Sequence, residues 1–311
     1  DQTIDHIEAF IPSERSGHVR EIMGDHYPFT QRTCQHKNFE VPLDMRKDTV
    51  LTYYFKVQSH EFADIRIAFR SNRRFISYAL NEYFLYGTFY GMILIIALYN
   101  FLVYLAIREI KNLFYIFYIL SVAFYAMSLD GIAFQYLWPQ HPEWNDYAVG
   151  ITLYSVILWA LIFTRRFLST QARSPYLDKW LKAMIAVRTF VFLVELFFFP
   201  EFFAFRVIEI IPLSLVFYTG LRIWMGGYRP ARFFVIAYGL LLMGFFLRSL
   251  VYFNWLSMTT LSHYSLHLSF VVEMLFLTFA LGERIRILKD NRDRALKRII
   301  QQNEINIQLK D

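Results

Sequence analysis

Apolar stretches, each about 18 to 25 residues long, alternate with short polar links through the last two-thirds of the chain. A helix of that length crosses the roughly 30 Å hydrocarbon layer of a bilayer. The pattern therefore predicts a mainly α membrane protein built on a bundle of seven transmembrane helices. The seven predicted spans lie near 84–107, 113–137, 146–167, 180–199, 202–222, 232–253 and 263–283.

Lys and Arg are distributed unevenly among the links between these spans. The links after the first, third and fifth spans are basic, whereas those after the second, fourth and sixth spans contain no Lys or Arg. Basic links stay on the cytoplasmic side of a membrane. We therefore expect the N-terminus outside the cytoplasm and the C-terminus within it.

The first 82 residues have a different pattern, in which apolar and polar residues alternate with a period of two. The alternation recurs in KNFEVPLDM (37–45), VLTYYFKVQS (50–59) and DIRIAFR (64–70). Short stretches of this kind predict antiparallel β-strands. About five strands make only a thin core. Residues 1–82 are therefore predicted to form part of a small extracellular β-sandwich, and we expect its remaining strands before residue 1.

The chain after residue 283 is highly charged, yet it contains no glycine or proline that would end the seventh helix. Residues 284–311 are predicted to form a cytoplasmic coiled coil that pairs two copies of the chain. An amphipathic helix on the inner leaflet is the alternative, although the acidic residues and the lack of aromatics favour the coiled coil. The predicted heptad seam contains Leu281, Ile285, Leu288, Ala295 and Ile299.

Composition excludes several classes of protein. The chain of 311 residues is 56% hydrophobic and contains 33 Phe and 21 Tyr, which is unusual for a soluble domain. Its net charge of +6 forms no continuous basic stripe, so nucleic acid is not expected as a partner. The seventh span has no lysine to hold retinal. Cys34 is the only cysteine, which excludes an intrachain disulfide.

Motifs for catalysis are missing from the sequence. It contains no nucleotide-binding loop, metalloprotease motif or acyl-transfer signature. We therefore expect no catalytic residue, no metal ligand set and no cofactor in this chain. His263 and His267 lie one helical turn apart and leave a metal-binding pair open as an alternative.

Ionisable residues within the predicted spans are the candidate functional sites, because a charge in hydrocarbon is costly unless it is paired or hydrated. One interpretation is a polar cavity that takes a small ligand or receives a signal from the β module. The other is a set of structural ion pairs, such as Glu209 with Arg248 or Arg188 with Glu273. The candidates are Asp130, Arg188, Glu195, Glu209, Arg248 and Glu273, with Arg206 near the outer mouth.

Gly87 and Gly91 are four residues apart in the first span. Small residues at this spacing let two helices approach closely. The pair predicts close packing within the bundle, with dimerisation as the alternative.

Several motifs carry a resemblance to a known family. The segment from YGTFYGMI to QYLWP, residues 86–139, resembles the start of the bacterial seven-transmembrane receptors with diverse intracellular signalling modules. YPFTQRTCQHKNFEVPLDM with YYFKVQS is similar to the end of their extracellular jelly-roll domain, and FALGERIRILKDNRDRAL resembles their exit helix. The shared scaffold positions, taken as helix-packing residues, are Gly87, Gly91, Tyr99, Asn100, Gly131 and Trp138.

The resemblance implies a bacterial inner-membrane receptor for a carbohydrate or another small molecule. Its domains would be residues 1–82 outside, 83–283 in the bilayer and 284–311 in the cytoplasm. Such receptors signal to a histidine kinase, cyclase or phosphatase module, which we expect beyond this chain, and a homodimer is expected through the C-terminal helix. A transporter of a small polar solute and a membrane anchor or dimerisation scaffold are the alternatives.

Overall fold

The structure is a computed structural model, which describes residues 4–13, 17–43, 50–59, 65, 67–199, 203, 206–253, 255–257, 259, 262 and 264–308. It divides into two compact units. The first unit contains residues 1–91, 117–159 and 183–209, and the second contains residues 92–116, 160–182 and 210–311.

The first unit contains a three-stranded antiparallel sheet in the order β2-β1-β3. On the central strand, Ile7 lies opposite Met23 of β2 and Val57 of β3. One face of the sheet is packed around Ile7, Ala9 and Met23, with Phe39 and Val57 against them. The strands are β1 (His6–Ser13), β2 (Gly17–Met23) and β3 (Tyr54–Gln58).

The sequence analysis located only one of these strands. Its prediction for 50–59 contains β3, whereas residues 37–43 and the described part of 64–70 form no strand. Phe39 and Val41 nevertheless pack against the sheet, so the alternation identified buried side chains but not strand pairing. The described residues form one sheet, and the second sheet of the predicted sandwich is not seen among them.

The remainder of the described chain is helical. Left-handed backbone conformations end three of the helices, at Arg108 (φ 55°), Gly131 (φ 71°) and Ser169 (φ 52°). Single-turn 3₁₀ helices occur at Phe29–Gln31, Pro142–Trp144 and Arg206–Glu209. The α-helices are α1 (Asn72–Ile107), α2 (Ile110–Leu129), α3 (Ile132–Tyr136), α4 (Asn145–Phe167), α5 (Thr170–Arg173), α6 (Pro175–Phe198), α7 (Ile210–Met225), α8 (Ala231–Tyr252) and α9 (Ser265–Gln308).

Five helices in the described part of the chain are long and apolar enough to cross a membrane, and they correspond to the first, second, third, sixth and seventh predicted spans. The second predicted span, 113–137, is too long, because α2 ends at Leu129 and the chain turns at Gly131 before α3. The fourth predicted span lies in α6, which carries Lys182, Arg188 and Glu195. The fifth overlaps α7, which has only 16 residues. The candidate spans are Asn72–Ile107, Ile110–Leu129, Pro142–Phe167, Ala231–Val251 and Ser265–Gln302. These helices indicate a multi-pass membrane protein.

Within the second unit, α8 packs against both α7 and α9. Two glycines permit these approaches, because a Cβ on Gly220 would lie 2.6 Å from the Phe234 ring and one on Gly244 would lie 2.1 Å from Ser269 Oγ. The prediction for Gly87 and Gly91 needs correction. A Cβ at either position would meet nothing within 4 Å in the described chain, so these glycines do not bring two of its helices together.

Candidate functional site

The loop that follows β2 packs against the ends of three helices in the first unit. We call this region the junction; it comprises residues 24–43 and the parts of α1, α3 and α4 that they contact. The Phe29 amide donates a hydrogen bond to the Pro139 carbonyl at 2.8 Å, and Asn145 Nδ2 donates one to the Asp25 carbonyl at 2.9 Å. Backbone groups of the loop are therefore bonded directly to the helical part of the unit.

Arg32 lies at the centre of the junction between aromatic rings. Its guanidinium carbon is 4.5 Å from the centre of the Phe29 ring and 4.4 Å from that of Phe39, distances at which a cation is attracted to a ring face. Its Nη1 also donates to the carbonyls of His36 and Lys37, at 3.0 and 2.7 Å. Burial lowers the pKa of Arg32 to about 10. The group remains charged near neutral pH and fixes the shape of the loop.

Lys37 forms a buried ion pair with α1. Its Nζ lies 2.9 Å from Glu82 Oε1 and donates to the Tyr86 hydroxyl at 2.8 Å. Tyr78 donates a further hydrogen bond to Glu82 at 3.0 Å. Lys37 is 3% exposed and Glu82 is 5% exposed, so neither charge has water to replace its partner. The pair therefore ties the loop to α1.

The turn between α2 and α4 supplies the other side of the junction. Gly131 adopts a left-handed conformation there, which suits glycine, so its role is to turn the chain rather than to pack helices. Trp138 Nε1 donates to Asn145 Oδ1 at 2.9 Å and thereby orients the amide that holds Asp25. Asp130 is buried beside the turn and accepts a hydrogen bond of 2.6 Å from Tyr90.

The junction lines an open cleft with an internal volume of about 40 Å³. Asp25, Arg32, Trp138 and Asn145 are among its lining residues. Burial raises the pKa of Asp25 to about 7; His26 opposes this shift, and the carboxylates of Asp5 and Asp146 add to it. The cleft thus combines a buried carboxyl, a cation and aromatic surface, and its volume suffices for a few water molecules.

A second polar cluster in the first unit is centred on Arg188 of α6. Arg188 Nε donates to Glu209 Oε1 at 2.8 Å, and its Nη1 donates to Glu195 Oε2 at 3.0 Å. All three residues are buried. They line a small cavity of about 10 Å³, room for roughly one water molecule, together with Phe203, whose ring packs directly on Gly150. The structure thus unites three of the predicted residues.

The partners in this cluster differ from the two pairings considered in the sequence analysis, since Arg188 is paired with Glu195 and Glu209. Two carboxylates share one guanidinium, and Glu209 Oε2 is buried without a hydrogen-bond partner. The cluster therefore has one acidic group in excess.

In the second unit, α9 is held by hydrogen bonds from α1 and α2. Asn100 Nδ2 donates to Thr278 Oγ1 at 3.2 Å, and the Tyr115 hydroxyl donates to the Met274 carbonyl. Glu273 is fully buried on the same part of α9 and interacts electrostatically with Tyr115. Asn100 thus has the predicted packing role, whereas Tyr99 is 56% exposed and does not.

Basic side chains hold α9 beyond this point. Arg284 Nη1 donates to the Phe167 carbonyl at 2.7 Å, and Arg232 Nη2 lies 2.9 Å from Glu283 Oε1. Among the other predicted residues, Arg248 is exposed on α8. On the predicted seam of α9, Leu281 is buried, whereas Leu288, Ala295 and Ile299 are exposed. His263 and the Arg206 side chain lie outside the described residues.

Sequence reasoning missed the junction. Lys37, Glu82 and Asp25 lie outside the predicted spans, where charged residues are ordinary, and only their pairing in the fold makes them distinctive. Composition gave little signal, because the charged and aromatic residues between 25 and 40 occur in proportions close to those of the whole chain.

These features define a multi-pass membrane protein whose N-terminal β module is bonded to the ends of its helices. A scan with family models matches residues 82–284 to the family described as 7TM diverse intracellular signalling, and residues 1–71 to 7TMR-DISM extracellular 2. No curated protein and no solved structure matches the chain. The chain belongs to the family of seven-transmembrane receptors with diverse intracellular signalling modules, and it is a membrane receptor with a signalling role.

Proposed function

We propose that this receptor senses an extracytoplasmic ligand, a carbohydrate or another small molecule, and relays the signal through α9 to a cytoplasmic effector. The observation that carries the proposal is the junction, where the Lys37–Glu82 pair joins the ligand-facing module to α1. A change of shape that moves Lys37 should also move α1, because a buried Glu82 left without its cation costs about 3–5 kcal/mol.

The proposed topology has seven spans in a bacterial inner membrane, with the N-terminus outside and the C-terminus in the cytoplasm. Five spans are the apolar helices, and α6 and α7 supply the other two. The charges of α6 do not oppose this assignment, since Arg188 is paired with Glu195 and Glu209 within the fold. The basic links support the orientation.

The output proposed for the chain is a rotation or shift of α9 between two arrangements. Beyond the contact of Arg284 with Phe167, α9 exposes apolar residues such as Leu288 and Ile299. A second copy of the chain would bury them in a parallel coiled coil. A histidine kinase or a nucleotide cyclase would read the change, and the chain itself would perform no catalytic step.

Cross-linking in membrane vesicles tests the proposal with this chain alone. In a Cys34→Ser background, cysteines at Leu288 and Ile299 should form interchain disulfides faster than cysteines at Asp290 and Lys297, which are off the seam. Adding Lys37→Gln should change the rates at the seam. Lys56→Gln, which removes an exposed lysine of β3, is the matched control.

Equal rates at all four positions would contradict the paired helix. Rates that Lys37→Gln leaves unchanged, with the seam still favoured, would contradict the relay from the junction while leaving the coiled coil intact.

One observation supports a second candidate function, transport of a small polar solute. The buried acidic excess at Arg188, beside its own cavity, is the kind of intramembrane group that transporters use. Uptake of Na⁺, glycine or glucose into proteoliposomes, abolished by Glu209→Gln, would establish transport. Uptake equal to that of protein-free vesicles would exclude it for these solutes.

A further inference from the structure

Three side chains at the edge of the junction present metal-binding atoms to one another. Asp5, Asp25 and His26 each place one carboxylate oxygen or ring nitrogen within 4.8 Å of those of the other two. Asp146 at the start of α4 is next to them, with its Oδ1 3.3 Å from His26 Nε2. Three carboxylates and one imidazole therefore occupy a single small region.

The backbone holds this cluster in place. A Cβ at Gly24 would lie 2.0 Å from the Asp5 carbonyl oxygen, so only glycine lets the chain after β2 pass this close to Asp5. The Asp25 amide then donates to the Ile4 carbonyl at 3.0 Å, and Asn145 holds the Asp25 carbonyl. The three ligand residues are thus brought together by hydrogen-bonded main chain rather than by flexible side chains alone.

Asp25 is the residue that points to a missing partner. It is 8% exposed, and its buried Oδ1 has no hydrogen-bond partner. A buried carboxylate oxygen without a donor is costly. The nearby cation does not supply the bond, because the described hydrogen bonds of the Arg32 guanidinium go to the carbonyls of His36 and Lys37. Like-charged neighbours at Asp5 and Asp146 raise the cost further.

We propose that Asp5, Asp25 and His26 bind a divalent transition-metal ion of the Zn²⁺ class, with Asp146 as the fourth ligand. An ion held about 2 Å from each ligand atom requires only a small inward movement of Asp5, Asp25 and His26, whose ligand atoms already lie within 4.8 Å of one another. Asp146 would exchange its hydrogen bond with His26 for the ion. The imidazole selects zinc over Ca²⁺ and Mg²⁺, which prefer all-oxygen sites. Exposure of His26 and Asp146 gives the ion access from solvent.

Metal binding at this site would join two parts of the first unit. Asp5, Asp25 and His26 belong to the N-terminal module, whereas Asp146 belongs to α4. A bound ion would therefore lock the module to the helix end at a point separate from the Lys37–Glu82 pair. The inference goes beyond the proposed relay and does not depend on it, because metal binding is measured without any signalling readout.

Calorimetric titration of the metal-free, detergent-solubilised chain with Zn²⁺ tests the site. The chain is expected to bind one ion, and Asp25→Asn and His26→Gln should each weaken binding by at least about tenfold. His141→Gln and Glu143→Gln are matched controls, because both residues are exposed near the start of α4 but outside the cluster. Both controls should bind as the parent does.

Thermal unfolding with and without Zn²⁺ is a second test, which stays informative if Asp25→Asn or His26→Gln folds poorly. Zn²⁺ should raise the unfolding temperature of the parent chain and of Glu143→Gln. It should raise that of Asp146→Asn less, because this variant lacks the fourth ligand. Asp146 is exposed, so its replacement does not disturb the core. No stoichiometric Zn²⁺ binding by the parent chain would overturn the proposal. Binding unchanged in Asp25→Asn and His26→Gln, or tighter binding of Ca²⁺ than of Zn²⁺, would overturn it as well.

Discussion

The two buried ion clusters of the first unit differ in their balance of charge. At the junction, the Glu82 carboxylate faces Lys37 and the His36 ring, whereas on α6 a single Arg188 serves both Glu195 and Glu209. A carboxylate surrounded by such donors stays charged, so the junction holds one geometry. A cluster with an extra carboxylate can lose one acidic charge and keep an ion pair. The first arrangement is suited to a mechanical link and the second to a switch.

The largest expected effect comes from Arg188→Met. The substitution leaves Glu195 and Glu209 facing each other without a cation in a buried site, which costs about 3–5 kcal/mol or more. Thermal unfolding of the detergent-solubilised chain should show a strongly lowered midpoint. A midpoint close to that of the parent would show that Arg188 does not hold the cluster together.

Lys37→Met should have the next largest effect, about 3 kcal/mol, since it leaves the buried Glu82 carboxylate with only the Tyr78 hydroxyl and the His36 ring beside it. Glu82→Gln should cost a similar amount. In the double variant, the loss should be much less than the sum, because the partner left unpaired by each single change is gone. Additive losses in this cycle would mean that the two residues act independently.

Glu209→Gln should have a small effect, within about 1 kcal/mol, because Arg188 keeps Glu195 as its partner and the amide oxygen still accepts a hydrogen bond. This near-neutral result, set beside the large cost of Glu82→Gln, is the sharpest test of the comparison. A loss as large as that of Glu82→Gln would show that both clusters are equally rigid.

Gly87→Ala should change stability least, by no more than about 1 kcal/mol and in the stabilising direction, since alanine is the better helix former and its methyl group meets nothing within 4 Å. Gly244→Ala is its counterpart, because the same methyl group would collide with Ser269. Destabilisation by Gly87→Ala in vesicles but not in dilute detergent would instead indicate a contact between two copies of the chain.

The helices were predicted from the sequence more accurately than the sheet was. An uninterrupted apolar stretch of about 20 residues has few alternatives to a helix, so the α1, α4, α8 and α9 predictions agree with the structure. Alternation over five residues is a weaker signal, because a loop such as 37–43 also buries every second side chain when it lies on a sheet. β1 was missed because its alternation is short: Ile7 and Ala9 alternate with His6 and Glu8, but Phe10 then interrupts the pattern.

One of the two candidate sites could be predicted in part from the sequence, and the other could not. Arg188, Glu195 and Glu209 were predictable as a group, since a charge in an apolar helix demands a partner. Their pairing was not predictable, because it depends on the rotation of α6 and on a 3₁₀ turn at Arg206–Glu209. The cluster of Asp5, Asp25 and His26 could not be predicted. Asp5 and Gly24 are 19 residues apart in the sequence, and nothing in it indicates that these two segments lie in contact.

The length of α9 has its own consequence. At about 1.5 Å per residue, its 44 residues extend for roughly 66 Å, about twice the thickness of the hydrocarbon layer. No glycine or proline occurs in it after Gly282, so nothing in the sequence provides a joint at which it would bend. A twist applied where Tyr115 contacts Met274 would therefore reach Ile299, some 25 residues or seven turns away, with its angle preserved.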